Sequence, residues 1–382
     1  MRIVIAPSGF KESLAADAVA TAIEAGVLRA DPTAVIDRVP LVDGGEGSAV
    51  ALAAATGGRL EPVTVTGPVG LPVRAHVALL GDGRTAMVEM ASAAGLRLVP
   101  PGHRDPGVTT THGVGQLIAA ALDTGRTRIL VGCGDSGTSD GGAGALAALG
   151  ARVTDRLGMT LAAGGAALRT VERIDVIGLD PRLAQVELLV AVNPHNVLCG
   201  PRGVARVFGP QKGATPAQVE GLSAGLSRWA DVLARDLGAD VRHGPGTGAS
   251  GGLGAGLAAV GGVLVPRFEV MLDHVDLDAR LAAADLVITA EGTIDAQTPR
   301  GKVPAEVARR AKRHGKPVIA LAGSIGHDAD CNYATGIDAF HGILPRPVSL
   351  AEALLHGGEF LADAAERAIR LVRVGALIGV SS

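Results

Sequence analysis

The stretch MRIVIAPSGFKESL, residues 1–14, decides how the fold of this chain is interpreted. Residues 2–6 include a short apolar run that predicts a buried strand, and small and apolar residues at helical spacing predict a helix over residues 14–28. Polar residues and a glycine join the two predicted elements. A strand that ends in a polar loop and leads into a helix is where open α/β proteins usually bind a ligand.

Outward from this stretch, strands and helices alternate up to about residue 58, and the alternation returns from Asp285. Residues 1–58 and 285–382 together contain five predicted strands, and helices follow four of them. This pattern predicts an α/β fold with a flavodoxin-like parallel sheet of strand order 2-1-3-4-5. We expect a discontinuous domain made of residues 1–60 and 285–382, interrupted by an inserted mixed α/β domain over residues 61–284.

The composition argues against several classes of partner. The net charge is −3, from 35 basic and 38 acidic residues, and aromatic residues make up 2% of the chain, so neither a basic field nor stacking platforms for nucleic acid are expected. The longest uncharged run, residues 244–266, is rich in glycine and is a poor membrane helix. Cys133, Cys199 and Cys331 have no zinc-site or disulfide spacing, which favours a reducing cytoplasm.

Four glycine-rich loops carry acids or hydroxyl groups: VDGGEG (42–47), GCGDSGTSDGGAG (132–144), GTGASGGLGAG (246–256) and TAEGTIDAQT (289–298). Glycine allows backbone N–H groups to converge on an anion, and a following helix N-terminus adds a positive dipole. These loops are therefore candidate phosphate sites. The alternative is that they are tight turns in a chain with 55 glycines.

Charged residues in or near such loops are the candidates for chemistry. Loop carboxylates can hold Mg²⁺ or take a proton from a hydroxyl group, whereas helix capping is the alternative for Glu46 and Asp140. Lys11, Lys212 and Lys302 could neutralise phosphate oxygens, or could be solvated surface residues. The carboxylates concerned are Asp43, Glu46, Asp135, Asp140, Glu291 and Asp295. No G-x-x-x-x-G-K-[ST] motif and no protein-kinase signature set occurs.

Taken together, the motifs resemble the type I glycerate kinase family. They are APSGFKESL (6–14), PLVDGGEGSA (40–49), EMASAAGL (89–96), TTTHGVGQLI (109–118), DSGTSDGGAGALAALG (135–150), VFGPQKGAT (207–215), GASGGLGAGL (248–257), VITAEGTIDAQTPRGKVP (287–304) and ILPRPVSLAEAL (343–354). The resemblance implies a kinase that uses ATP and Mg²⁺ to phosphorylate D-glycerate, usually to 2-phosphoglycerate. It also implies a flavodoxin-like domain with an inserted α/β domain.

The loops and their charges, taken with the resemblance, suggest roles for individual residues. The predicted catalytic residues are Asp295, as base for the acceptor hydroxyl, with Asp43, Lys11 and Lys212; Asp135 is the alternative base. The predicted substrate-binding residues are Ser13, Glu46, Asn196, Gln297 and Thr298. The predicted nucleotide-binding residues are Gly134, Ser136, Gly137, Asp140, Gly251 and Gly252. Asp43 and Asp135 are the predicted Mg²⁺ ligands. A homodimer, the preferred nucleotide and 2- versus 3-phosphoglycerate are left open.

Four positions depart from the family pattern inside its motif loops. Ser8 and Asn193 stand where the family has aspartates, Thr293 stands where it has an arginine, and Asp135 is an added acid. An arginine is the usual bidentate clamp for a carboxylate, so its loss should weaken glycerate binding unless Arg104, Arg300 or Arg202 takes its place. The alternatives are therefore a kinase of a related small hydroxy acid or polyol, a non-catalytic ligand-sensing relative, and a hydrolase that uses the same loops.

Overall fold

The computed structural model describes residues 1–10 and 13–379. The strands are β1 Arg2–Ile5, β2 Val35–Arg38, β3 Arg59–Thr66, β4 Pro72–Leu79, β5 Thr85–Glu89, β6 Arg128–Gly132, β7 Arg152–Asp155, β8 Val171–Asp175, β9 Glu187–Val192, β10 Val263–Pro266, β11 Leu286–Ile294, β12 Val318–Ile325 and β13 Ala339–Gly342. The α-helices are α1 Ala16–Ala30, α2 Ser48–Thr56, α3 Met90–Ala94, α4 His112–Asp123, α5 Ala143–Ala148, α6 Val204–Phe208, α7 Pro216–Leu237, α8 Ala249–Ala259, α9 Arg267–Asp273, α10 Leu277–Ala282, α11 Val303–Arg313, α12 Leu350–Leu355 and α13 Gly357–Gly379.

The chain divides into two compact units. The first unit is Met1–Asp43 with Val275–Ser382, and the second unit is Gly44–His274. The two boundaries predicted from the sequence come later, after residues 60 and 284. The structure places α2 with the second unit because this helix packs against β3, β4 and β5, and it places α10 with the first unit because that helix packs against α11.

The first unit contains a parallel sheet of order β2-β1-β11-β12-β13. Counted within this unit, the order is 2-1-3-4-5, which confirms the flavodoxin-like prediction. β1 lies in the interior of the sheet and pairs with β2 and β11, and its Ile3, Val4 and Ile5 are fully buried. This explains its continuous apolar run, because a strand covered on both faces has no polar side. Gly26 lets α1 approach α13, since a Cβ there would lie 1.9 Å from the Ala362 carbonyl oxygen.

The sequence over residues 350–372 predicts one helix, but the structure has two helices there, α12 and α13. α12 is capped at its N-terminus by Ser349, whose hydroxyl accepts a hydrogen bond from the Glu352 N–H, and His356 is its C-terminal cap. α13 then begins at the pair Gly357–Gly358, and glycine lowers helix propensity at such a junction. Among the helices of the described residues, none is long and apolar enough to cross a membrane.

The second unit contains a six-stranded mixed sheet of order β10-β9-β6-β5-β4-β3 and a two-stranded sheet of β7 and β8. β3, β4 and β5 are antiparallel neighbours, whereas β5, β6, β9 and β10 run parallel. The predicted mixed α/β character of the insertion is confirmed. The loops after β5, β6 and β9 lie at one edge of this sheet, since parallel neighbours end on the same side. This edge carries the candidate site of the second unit.

Candidate active site

Two glycine-rich loops meet at the carboxyl edge of the second unit's sheet. β6 ends at Gly132 and continues into the loop over residues 133–142. A Cβ on Gly134 would lie 2.5 Å from the Cα of Gly45, so the 44–47 loop packs directly on this loop. A Cβ on Gly137 would lie 2.9 Å from the side chain of Val99. Only glycine permits both close approaches.

Lys212 is buried beneath the 133–142 loop, with 2% of its surface exposed. Its Nζ donates hydrogen bonds to the Thr138 carbonyl oxygen at 2.6 Å and to the Ser136 hydroxyl oxygen at 2.9 Å. Burial lowers the pKa of the Lys212 ammonium to about 7, although the nearby Asp140 charge opposes that change. The alternative that Lys212 is a solvated surface residue is therefore wrong, and its ammonium group organises the loop.

Asp140 is also covered, with 1% of its surface exposed. Its carboxylate accepts hydrogen bonds from the Thr111 N–H at 2.8 Å, the Thr111 hydroxyl, and the N–H groups of Gly142 and Gly144. Burial raises the pKa of the Asp140 carboxyl, and these hydrogen bonds oppose the rise. The predicted direct contact of Asp140 with a nucleotide is disfavoured, because its oxygen atoms are occupied inside the protein. The capping alternative describes it better.

The second predicted phosphate loop is a break in α8. Ser250, Gly251 and Gly252 have φ angles of 52°, 71° and 93°, all in the left-handed region. A Cβ on Gly251 would lie 2.0 Å from the Thr138 carbonyl oxygen, and one on Gly252 would lie 2.8 Å from the Cα of Gly141. These glycines are thus required for packing against the 133–142 loop. Their predicted contact with a nucleotide stays a prediction.

Asp135 and Glu46 lie side by side where the two loops meet. Asp135 has a φ angle of 50°, is exposed, and accepts a hydrogen bond from the Glu46 N–H at 3.2 Å. The Glu46 carboxylate in turn forms an ion pair with Arg97 at 2.6 Å. An exposed carboxylate on a left-handed turn suits a metal ligand or a polar contact to a ligand better than a buried one does. The fold brings Asp135 and Glu46 together although they are 89 positions apart in the sequence.

Glu89 is a buried acid at the same edge that the sequence analysis did not single out. It ends β5 with 2% of its surface exposed, and its two carboxylate oxygens accept the N–H groups of Gly47 and Ala49, each at 3.1 Å. Burial raises the pKa of Glu89 to about 7; the two hydrogen bonds oppose the rise, and the charges of Glu46 and Asp135 add to it. The available signal was an acid at the end of the apolar run TAMVE, inside the motif EMASAAGL.

The loop after β9 borders the start of α8. The Asn196 carbonyl oxygen accepts the Gly248 N–H at 3.1 Å, and the Asn193 side-chain oxygen accepts the His195 N–H at 3.0 Å. Asn193, which replaces a family aspartate, thus shapes its own turn. Asn196 is half-buried at the same edge of the sheet, and its predicted substrate contact stays a prediction.

In the first unit, Asp295 lies in the turn that follows β11. Its Oδ1 accepts hydrogen bonds from the Gln297 N–H at 2.9 Å, Lys302 Nζ at 3.1 Å and the Thr298 hydroxyl at 3.3 Å. Partial burial raises the pKa of Asp295, but the hydrogen bonds from Lys302 and Gln297 outweigh it, so the pKa lies below its usual value. The fully buried Asn332 side chain donates to the Asp295 carbonyl oxygen at 3.0 Å. Thr298 is buried as well, so its hydroxyl serves Asp295.

Two positions that depart from the family pattern make internal hydrogen bonds in the first unit. The Ser8 hydroxyl donates to the Ala290 carbonyl oxygen at 3.0 Å. The hydroxyl groups of Thr293 and Ser324 lie 2.8 Å apart, on neighbouring strands β11 and β12. The shorter side chains at 8 and 293 are therefore held within the unit's own framework.

Three predicted site residues remain: Ser13, Lys11 and Asp43. The Ser13 hydroxyl donates to the Leu354 carbonyl oxygen at 3.1 Å, so it contacts α12. Lys11 lies outside the described residues. Asp43 is the last residue of the first unit and is half-buried. Within residues 1–10 and 13–379, no group of three or more His, Cys, Asp and Glu side chains is arranged to hold a metal ion.

The amino-acid sequences of known proteins are similar to this chain over nearly its whole length. The model of the glycerate kinase family matches residues 3–373. A glycerate kinase of Bacillus subtilis (strain 168) is 47% identical over 362 residues, covering 94% of this chain and 95% of its own. A glycerate 2-kinase of Escherichia coli (strain K12) is 46% identical over 354 residues, covering 92% of this chain and 93% of its own.

A solved structure agrees as well. It is a crystal structure of a Salmonella typhimurium LT2 protein assigned as glycerate kinase 2, which superposes with a TM-score of 0.80 at 46% identity. The match covers 98% of this chain and 99% of that one. The resemblance noted in the sequence is confirmed over nearly the whole length. The chain therefore belongs to the glycerate kinase family.

Proposed function

We propose that this protein is an ATP-dependent kinase of the cytoplasm that phosphorylates D-glycerate, with 2-phosphoglycerate as the product. The observation that carries the proposal is the near full-length similarity to relatives named glycerate kinase and glycerate 2-kinase, at 46–47% identity. The geometry of both units supports it. Phosphoryl transfer needs positioning and charge neutralisation more than covalent chemistry, and the loops supply both.

Asp295 is the proposed base for the acceptor hydroxyl. Its lowered pKa keeps the carboxylate ionised at neutral pH, and in the described part of the chain no donor occupies its Oδ2. Lys302 and Thr298 hold the carboxylate in one orientation through Oδ1, which leaves Oδ2 to accept a proton. The exposed Gln297 is the proposed neighbouring contact to the acceptor.

The loops of the second unit are the proposed phosphate site. The loop over 133–142 offers backbone N–H groups, and Lys212 places a positive charge directly beneath it. Because the pKa of Lys212 is about 7, an anion bound above the loop would favour its protonated form and be stabilised in return. Lys212 thus acts as a positioning residue through Ser136 and Thr138, and not by direct contact with the transferred group.

Mg²⁺ is the proposed metal, held mainly by the nucleotide phosphates with one or two carboxylates, as is usual for this ion. Asp135 fits such a role because it is exposed, whereas Asp140 does not, because it is buried. Asp43 is the second proposed ligand. The ion would neutralise charge on the phosphates, and the exposed Asp135 carboxylate would orient it.

A related hydroxy acid or polyol is the second candidate for the acceptor. The observation that favours it is the internal hydrogen bonding of Ser8 and Thr293, which leaves neither residue able to replace the lost charges. A carboxylate that meets no arginine at position 293 is bound less tightly. D-Glycerate remains the primary proposal because the surrounding motifs are intact.

The experiment is coupled ADP release by the purified protein with ATP and Mg²⁺, with D-glycerate, L-glycerate, a panel of related hydroxy acids and polyols, or no acceptor. The product is identified by ³¹P NMR, which distinguishes 2- from 3-phosphoglycerate. We expect D-glycerate to stimulate ADP release strongly, and chelation of Mg²⁺ to abolish it.

The outcomes separate the candidates. If the protein phosphorylates another acceptor faster than D-glycerate, that compound replaces D-glycerate as the proposed substrate. Phosphate release without any acceptor would identify a hydrolase, and silence with every acceptor, despite measurable ATP binding, would favour a non-catalytic relative. Asp295→Asn, carried through the same assay, shows whether the observed activity belongs to this site.

A further inference from the structure

Glu89 is a buried charge that the proposed catalytic roles do not use. We propose that Glu89 is a positioning residue for phosphoryl transfer, whose carboxylate ties the end of β5 to the start of α2 and thereby fixes the 44–47 loop. Its two oxygens accept the Gly47 and Ala49 N–H groups, one each. This inference rests on the proposed kinase activity and adds a residue to it.

The local structure explains why the acid comes from a distant strand. α2 begins after Gly47, which has a φ angle of 86° and no side chain with which to cap the helix. Serine, threonine or aspartate at this position would supply a cap but would be strained in the left-handed region. The first N–H groups of α2 therefore need an acceptor from elsewhere. Glu89 supplies both oxygens from 40 residues away.

The same loop carries the groups that face the proposed phosphate site. Glu46, directly before Gly47, donates its N–H to the Asp135 carboxylate. Gly45 packs against Gly134 so closely that no Cβ fits between them. Loss of the carboxylate clamp would therefore shift the loop that sets Asp135, one of the two proposed metal ligands. A structural acid without this connection would affect folding alone.

The test compares Glu89→Gln with Asp82→Asn. Asp82 is a matched control because its carboxylate also accepts backbone N–H groups, from Arg84 and Thr85, but at the opposite end of β5. Glutamine keeps the size of Glu89 and replaces one acceptor oxygen with a donor that opposes an N–H group. We expect Glu89→Gln to lower kcat by about 10- to 100-fold through misplacement of the loop. The KM for ATP should change less than about threefold, because Lys212 still holds Ser136 and Thr138 of the 133–142 loop.

Hydrogen exchange supplies a readout that does not depend on the acceptor. Amides of residues 44–52 should exchange at least about tenfold faster in Glu89→Gln than in wild type, while Asp82→Asn leaves this segment unchanged. Activity is measured with D-glycerate, or with the acceptor that wild type prefers, so a different substrate would overturn only the proposed function. Unchanged exchange over 44–52, or a kcat within threefold of the control with equal Tm values, would overturn the role of Glu89.

Discussion

Replacing Lys212 by methionine should change how the stability of the second unit depends on pH. The ammonium group is buried against a carbonyl and a hydroxyl oxygen, with no carboxylate in hydrogen-bonding contact. Its pKa is about 7 in the folded protein, against the ordinary lysine value of 10.5 for the unfolded chain. Between these values the unfolded chain binds the proton and the folded protein does not, so the free energy of unfolding rises with pH.

The size of the effect follows from the two pKa values. By linkage, the lowered pKa of Lys212 reduces the free energy of unfolding by about 4 kcal/mol at pH 7 and by about 2 kcal/mol at pH 9. The contribution of this residue therefore raises the free energy of unfolding of wild type by about 2 kcal/mol between the two pH values. Methionine has nearly the same length and no titrating group. The difference in unfolding free energy, wild type minus Lys212→Met, should therefore move by about 2 kcal/mol in favour of wild type between pH 7 and 9.

Urea unfolding at pH 7, 8 and 9, followed by tryptophan fluorescence, measures this difference. Trp229 is the one tryptophan of the chain, is fully buried in the second unit, and donates its Nε1–H to the Gly141 carbonyl oxygen, so it reports on this unit. Arg59→Met removes an exposed cation of the same unit and serves as the control. Groups common to all variants, including Glu89, cancel in the comparison.

A flat difference between pH 7 and 9, within about 0.5 kcal/mol, would refute the reasoning. It would mean that the Lys212 amine gains enough from its surroundings to keep its ordinary proton affinity. A slope of opposite sign would mean that a carboxylate, such as that of Asp140, whose charge raises the pKa of Lys212, stabilises the ammonium group more than burial destabilises it.

Three further predictions concern single residues. Asp295→Asn should lower kcat by about 10²- to 10⁴-fold in the ADP-release assay, whereas Asp285→Asn, at the other end of β11, should leave kcat within about threefold; equal losses would contradict the assignment. Gly251→Ala should cost about 3 kcal/mol or more in urea unfolding, because its Cβ would lie 2.0 Å from a carbonyl oxygen. Gly261 also has a positive φ angle, but a Cβ there would have no atom within 4 Å, so Gly261→Ala should cost about 1 kcal/mol. Asn332→Ala should lower the free energy of unfolding by about 1–3 kcal/mol, seen as a lower Tm, since two backbone carbonyls lose a buried donor; an unchanged Tm would show that water replaces the amide.

Much of the fold could be predicted because its signals are local. The apolar runs over residues 128–132 and 187–192 predict strands that match β6 and β9 at both ends, since each run begins at a charged residue and ends at a glycine or before Asn193 and Pro194. The order of the first unit's sheet followed from counting alternating elements. The unit boundaries did not follow, because membership of α2 depends on packing against strands that come later in the chain.

The candidate site was predicted less completely, for a related reason. Its loops were visible as glycine and polar residues, but the burial of Lys212 depends on oxygen atoms more than 70 residues away. Glu89 was missed because its partners, Gly47 and Ala49, contribute only backbone N–H groups, which no pattern of side chains records. Local sequence identifies where chemistry can occur, and long-range contacts determine which groups are exposed to perform it.

The interior position of β1 has a consequence for biosynthesis. β1 is synthesised before both of its neighbours, and one of them, β11, begins only at Leu286. About 250 residues separate β2 from β11, so at ordinary translation rates β11 is synthesised roughly 12–50 s after β2. The whole second unit, Gly44–His274, leaves the ribosome during this interval and can fold in the meantime. Until β11 is synthesised, the edge of β1 that pairs with it in the folded protein stays unpaired, and an unpaired apolar edge is a site at which nascent chains can associate.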